Sequence, residues 1–141
     1  MFGLVSCGGF NLMNGANPGK RAFKYYDKNF TLDSSTKLRI ASKYFLVTKN
    51  GVDILVFQKD GFLNNHYTND ISGAGVDKVE SGAIMGYYKL KQDSIFFTTK
   101  SYYQHRATFY KGLIKNDTLD LEVKSPNYKK AVREKYVLYK S

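Results

Sequence analysis

Ser34 and Lys37, in SSTK, have the spacing at which a lysine can take the proton of a nucleophilic serine, as in one class of acyl-transfer enzymes. The companion motifs such enzymes need are missing, and a run of Ser and Thr is equally a capped turn. GANPGKR looks like a phosphate-cradling loop. Only three residues separate Gly15 from Gly19 where four are required, however, and Arg21 stands where a magnesium-binding hydroxyl belongs. SGAGV has two glycines of a dinucleotide loop without the third, and no β-α-β pattern surrounds it. His66 and His105 are the only histidines and have no cysteine beside them. They are expected at solvent-exposed strand positions, and no metal or other cofactor is expected. Asp117 and Asp120 suit a turn and an outer strand face, and no acid-base pair is forced to converge. With no catalytic constellation, the expectation is a protein that is not an enzyme. One reactive group remains, the thiol of Cys7, the only cysteine in the chain.

Composition limits what can position these groups. The 141 residues are 43% hydrophobic and 24% charged, the balance of one ordinary folded domain. Twelve Tyr and ten Phe against two Pro lean the chain toward β structure, whose pleated, half-buried surfaces accept aromatic rings. No apolar run approaches the roughly 20 residues of a membrane-spanning helix. The net charge of +10 is concentrated at residues 20–49, with eight basic and two acidic groups, and at 100–141, with ten and four. Such a surplus suits an anionic neighbour, whether nucleic acid, acidic glycan or lipid head groups, and equally a solvated surface.

Residues 8–19, rich in Gly and Asn without periodicity, are expected to form a flexible linker. From Leu38 onward, short runs of period two alternate with turns, the pattern of an antiparallel meander. The runs are 38–48, 52–59, 62–67, 84–91, 94–102, 105–115, 118–124 and 132–140. Asn50-Gly51 and Asp60-Gly61 suit the positive φ angles of type I′ hairpins, while Gln92-Asp93 and Asn116-Asp117 are weaker turns. In TLDLEVK, Leu119, Leu121 and Val123 are expected inside, with Asp120 and Glu122 exposed. Alternation likewise turns Leu38, Ile40, Tyr44, Phe57, Tyr88, Phe97, Tyr110 and Tyr136 inward, together with Gly86 and Gly112. Eight sequential strands hide their edges by closing. The expected fold is therefore all-β: an eight-stranded antiparallel up-and-down barrel over residues 20–141, with a two-sheet sandwich as the alternative. TNDISGAGVDKVESG would be its one large loop.

The succession ILVFQKDGFL, MGYYKLKQDSIFF, YKGLIKNDTLDL and KYVLY resembles the small lipocalin-like lipoproteins of Gram-negative envelopes over about residues 38–140. The resemblance gives Cys7 a role. Leu4, Val5, Ser6 and Cys7 fit the box at which such lipoproteins are cleaved and acylated, which makes residues 1–7 a truncated signal-peptide remnant ending in the lipidated cysteine. Only Met1, Phe2 and Gly3 precede the box. A stable tether needs more than one acyl chain, since each buried methylene contributes about 0.8 kcal/mol. The absence of any other cysteine suits an oxidising compartment. No acidic cluster follows Cys7, and the resemblance then implies an outer-membrane anchor facing the periplasm.

Two features bear on function. Four tyrosines, Tyr44, Tyr88, Tyr110 and Tyr136, point inward, and each hydroxyl needs a partner when buried. With Phe57 and Phe97 they would line either a filled core or a cavity for a small hydrophobic or amphipathic ligand, and Gly86 and Gly112 would leave room on the inner face. On the outer face, Phe45, Val47, Met85, Tyr87, Phe96, Phe109 and Leu113 need a cover. Phe23, Tyr25, Tyr26 and Phe30 of RAFKYYDKNF could supply it, as could an envelope partner or a membrane surface. The functional expectation is a lipid-anchored envelope protein that binds a small ligand or an envelope partner. The alternatives are a basic nucleic-acid-binding barrel, the weaker reading if Cys7 is acylated, and a purely structural module with a filled core.

Overall fold

The computed structural model describes residues 24–70, 75–76, 84–101, 107–126 and 128–140. Cys7, the 8–19 linker, Phe23 and His105 lie outside them. Eight strands follow one another: β1 Lys43–Thr48, β2 Gly51–Phe57, β3 Phe62–Thr68, β4 Ile84–Lys91, β5 Ser94–Ser101, β6 Thr108–Lys115, β7 Thr118–Lys124 and β8 Val132–Leu138. Each pairs antiparallel with the next, and β8 returns to β1 through Tyr44 opposite Leu138 and Phe45 opposite Val137, closing the barrel. Closure removes both sheet edges and rules out the sandwich.

The turns divide the barrel into two unlike ends. At one end lie the short connections 58–61, 92–93 and 116–117, together with the segment leading into β1. At the other lie the 49–50 turn and the ends of β3, β5 and β7, which longer stretches of sequence, 69–83, 102–107 and 125–131, separate from the next strand. Gln92 and Asn116 take φ of 57° and 56° in two-residue hairpins, so the weaker turn signals mark tight turns. The two Gly pairs behave differently from expectation. Lys49 and Asn50 make the first turn, and Gly51 already opens β2 opposite Thr48. In the second, the Gly61 N–H donates to the Gln58 carbonyl at 3.3 Å and Gly61 itself has φ 90°, a turn centred on Lys59-Asp60 with the left-handed residue after it.

β1 begins at Lys43 rather than at residue 38, because Ala41 takes φ 60° and breaks the extended run. The chain before it folds across the tight-turn end. There Leu38 is buried and Phe30 packs edge-on against Tyr88 at 5.1 Å, so Phe30 plugs the barrel instead of covering its outside. The outside is reached by the residues just upstream. Tyr26 meets Tyr87 at 5.0 Å and Tyr25 meets Phe96 at 6.2 Å, forming the strap the outer apolar residues require. Val76, from the long 69–83 connection, covers Val52 and Ile54. His66, expected in solvent, is buried on this outer face, and burial holds its imidazole below the ordinary pKa of 6.5.

Asp120 is a second departure from simple alternation. It points outward on β7 yet is buried, because Arg133 at 2.8 Å and Lys115 at 3.3 Å close over its carboxylate and hold it below the usual range. Gly86 and Gly112 do face inward but make no room. A Cβ at Gly86 would stand 1.8 Å from the Thr98 carbonyl oxygen, and one at Gly112 would stand 2.0 Å from that of Asp120. Both glycines therefore permit close strand approach where the sheet coils.

Candidate functional site

All six aromatic residues expected in the lumen are there, and the structure sorts them by depth. Tyr44, Phe57, Tyr88, Phe97 and Tyr136 are fully buried, while Tyr110 is 6% exposed. Phe57 is the hub, with ring centroids 6.0 Å from Tyr44 and 5.2 Å from both Tyr88 and Phe97. Tyr110 stacks flat on Phe97 at 4.3 Å. The hydroxyls of Tyr44 and Tyr88 turn toward the tight-turn end: Tyr44 accepts from the Arg39 N–H at 2.9 Å, and Tyr88 donates to the Gln58 carbonyl at 2.6 Å. Tyr44, Phe57, Tyr88 and Phe97 thus occupy their half of the lumen with their own rings, with every hydroxyl bonded.

Toward the long-loop end the interior changes character. Asp53 shares the inward parity of Leu55 and Phe57 on β2, and Glu134 shares that of Tyr136 on β8. The phenol of Tyr136 donates to Asp53 Oδ2, and the Asn65 amide donates to Asp53 Oδ1 at 2.7 Å and to the Ile54 carbonyl at 3.1 Å. Glu134 also bonds Tyr136. Thr99 bonds the Tyr110 hydroxyl, and Tyr128, from the 125–131 connection, lies within electrostatic reach of both carboxyls.

Burial is the largest influence on every titrating member. It raises Asp53 against the opposing hydrogen bonds of Tyr136 and Asn65, and it raises Glu134 with help from the neighbouring Asp53. It also raises Tyr110, Tyr128 and Tyr136. The result is a group of two carboxyls, an amide and three phenols at the long-loop end of the barrel. It can accept hydrogen bonds from, and lend negative charge to, a polar or cationic head group. Among the described residues no three His, Cys, Asp or Glu side chains cluster as a metal site would need.

Sequence reasoning named Tyr110 and Tyr136 but missed Asp53, Asn65, Thr99, Tyr128 and Glu134. The signal existed for the strand members: extending the inward parity of β2 by one step reaches Asp53, and of β8 reaches Glu134. Tyr128, in a connection, carries no such signal.

The raised carboxyls predict a pH dependence. In the unfolded chain Asp53 and Glu134 ionise near their ordinary 3.8 and 4.5, whereas the folded barrel keeps their protons to higher pH. Their stabilising contribution is complete below the ordinary values and is lost as pH rises through the raised folded ones. Urea unfolding across this range should show wild type losing stability relative to Asp53→Asn/Glu134→Gln as pH increases. A relative stability that stays flat or rises would contradict the assignment. His66 is common to both proteins and drops out of the difference.

No protein-family model, no curated protein and no solved structure matches the chain.

Proposed function

We propose that this protein is a non-catalytic binding barrel of a Gram-negative envelope, tethered through acylated Cys7 to the outer membrane on its periplasmic side. Its ligand is a small amphipathic molecule with a cationic head, taken at the long-loop end of the lumen. The observation that carries the ligand reading is the convergence of Asp53 and Glu134 with Tyr110, Tyr128 and Tyr136 at that end, opposite an end sealed by Phe30 and Leu38. Burying two carboxyls costs stability unless something compensates them. An ammonium group would do so, and phenol rings favour it further through their electron-rich faces. The tether rests on the LVSC box and on the lipocalin-like strand phrases.

Calorimetric titration with dodecylammonium and with dodecanoate tests the ligand reading. Wild type should take the cation at least about tenfold more tightly, one buried charge pair's worth of discrimination. Glu134→Gln, at a half-exposed position, should lose most of that preference. Equal affinity for both amphiphiles, or none, would leave the ring-filled barrel as a structural module. For the tether, the protein expressed from its natural gene should label with radioactive palmitate and partition into detergent. Cys7→Ala should do neither, and a variant that labels like the parent rejects the anchor.

A further inference from the structure

A groove of about 1080 Å³ runs outside the barrel, over β6 and β7, bounded by the strap at Lys24 and Tyr25 and by the 125–131 connection. Its volume exceeds what a single ion needs and suits a ligand of several linked units. Five lysines line it, Lys24, Lys111, Lys124, Lys129 and Lys130, against one carboxylate, Glu122, which Lys111 already pairs at 3.3 Å. Lys124, Lys129 and Lys130 are exposed and have no ion pair with a described carboxylate. We propose that this groove binds an acidic oligosaccharide, whose spaced carboxylates pair with the lysines along both walls.

Charge complementarity sets the sign of the occupant, and the lysine ammonium, a compact point charge, suits separate anionic groups spread along a chain. The aromatic residues of the groove argue against nucleic acid. Single-stranded nucleic acids are held by bases stacked on open rings. Here Phe109 is 38% exposed, but the Lys24 ammonium lies 5.8 Å from its ring centre and 5.5 Å from that of Tyr25, and Tyr25 also leans on Phe96, so a stacking base would have to displace the lysine. Recognition by charge and hydrogen bonds remains. Tyr110 of the lumen group also lines the groove, so the two sites adjoin there, and the lysines replaced below belong to the groove alone.

The test is calorimetric titration of the full chain with an octamer of polygalacturonate, with neutral maltooctaose and oligothymidylate for comparison. Two charge-matched triple variants are used, Lys124→Gln/Lys129→Gln/Lys130→Gln in the groove and Lys37→Gln/Lys59→Gln/Lys89→Gln at exposed sites elsewhere. The acidic octamer should bind wild type, weaken with added salt, and lose about tenfold or more in the groove variant but less than about twofold in the control. Maltooctaose should not bind. Equal losses in both variants would reduce the effect to the net charge of +10 and overturn the site. Tighter binding of oligothymidylate than of the acidic octamer would overturn the saccharide assignment, and failure to bind the octamer would overturn both.

Discussion

Gly112→Ala is expected to destabilise the barrel by on the order of 3 kcal/mol or more, a large fraction of the total stability of an ordinary domain. Gly112 is on β6, facing inward between Ile95 on β5 and Leu121 on β7. An added Cβ would meet the Asp120 carbonyl oxygen at 2.0 Å and the Leu121 Cα at 2.9 Å. Both are backbone atoms, so no rotamer change relieves the clash, and the β6–β7 ladder must move. Gly86→Ala should behave alike, since its Cβ would press on the Thr98 carbonyl oxygen of β5 at 1.8 Å. Urea unfolding measures both, and a loss below about 1 kcal/mol in either would contradict the close-approach account.

Phe57→Ala should cost about 3 to 5 kcal/mol, the range for deleting a large buried ring whose neighbours cannot collapse into the space. Phe57 has no exposed surface and touches the rings of Tyr44, Tyr88 and Phe97, which come from β1, β4 and β5. Those neighbours are themselves pinned. Tyr44 and Tyr88 are anchored by hydrogen bonds at the tight-turn end, and Phe97 is stacked under Tyr110. Relaxation into the vacated space would break one of these contacts, so the cavity term persists. Val47→Ala, at a residue 55% exposed on the outer face, should change stability by no more than about 0.5 kcal/mol and serves as the control. Similar small losses in both variants would mean that the aromatic column does not hold the barrel together.

Alternation made the barrel readable. All eight strands were legible because one face of each carries large apolar residues while turn-forming pairs separate them. Leu119, Leu121 and Val123 are buried as expected. Strand boundaries were less legible where tertiary contacts take over: Leu38 keeps the right parity and reaches the core, but from a capping segment rather than from β1. Period-two reading also assigns direction without knowing what closes over a residue. Asp120 points outward as read, yet Arg133 and Lys115 bury it, and His66 points outward and is buried too. The inward glycines were ambiguous in sequence, because a missing side chain means space only if no backbone fills it. At Gly86 and Gly112 a carbonyl does.

The candidate site was half legible for a similar reason. Tyr110 and Tyr136 fit an apolar inner face, whereas Asp53 interrupts one, and parity beyond Leu55 had to be trusted over hydrophobicity to find it. Its partners, Asn65 on β3 and Tyr136 on β8, are 12 and 83 residues away in sequence; the β2–β3 pairing brings the first, and barrel closure through β1 and β8 the second. The outer strap was legible as a requirement, since the apolar residues of β4 and β5 needed covering. Tyr25 and Tyr26 meet that need, while Phe30 turns inside.

The most direct test of the proposed binding role is amide chemical-shift mapping of the full chain during titration with dodecylammonium. A ligand seated at the long-loop end predicts the largest saturable changes at Asp53, Asn65, Thr99, Tyr110, Tyr128 and Glu134, with little at Leu38, Tyr88 or Leu119 near the tight turns. Changes confined to the tight-turn end or to the outer face, or no saturable change at the mouth, would contradict it.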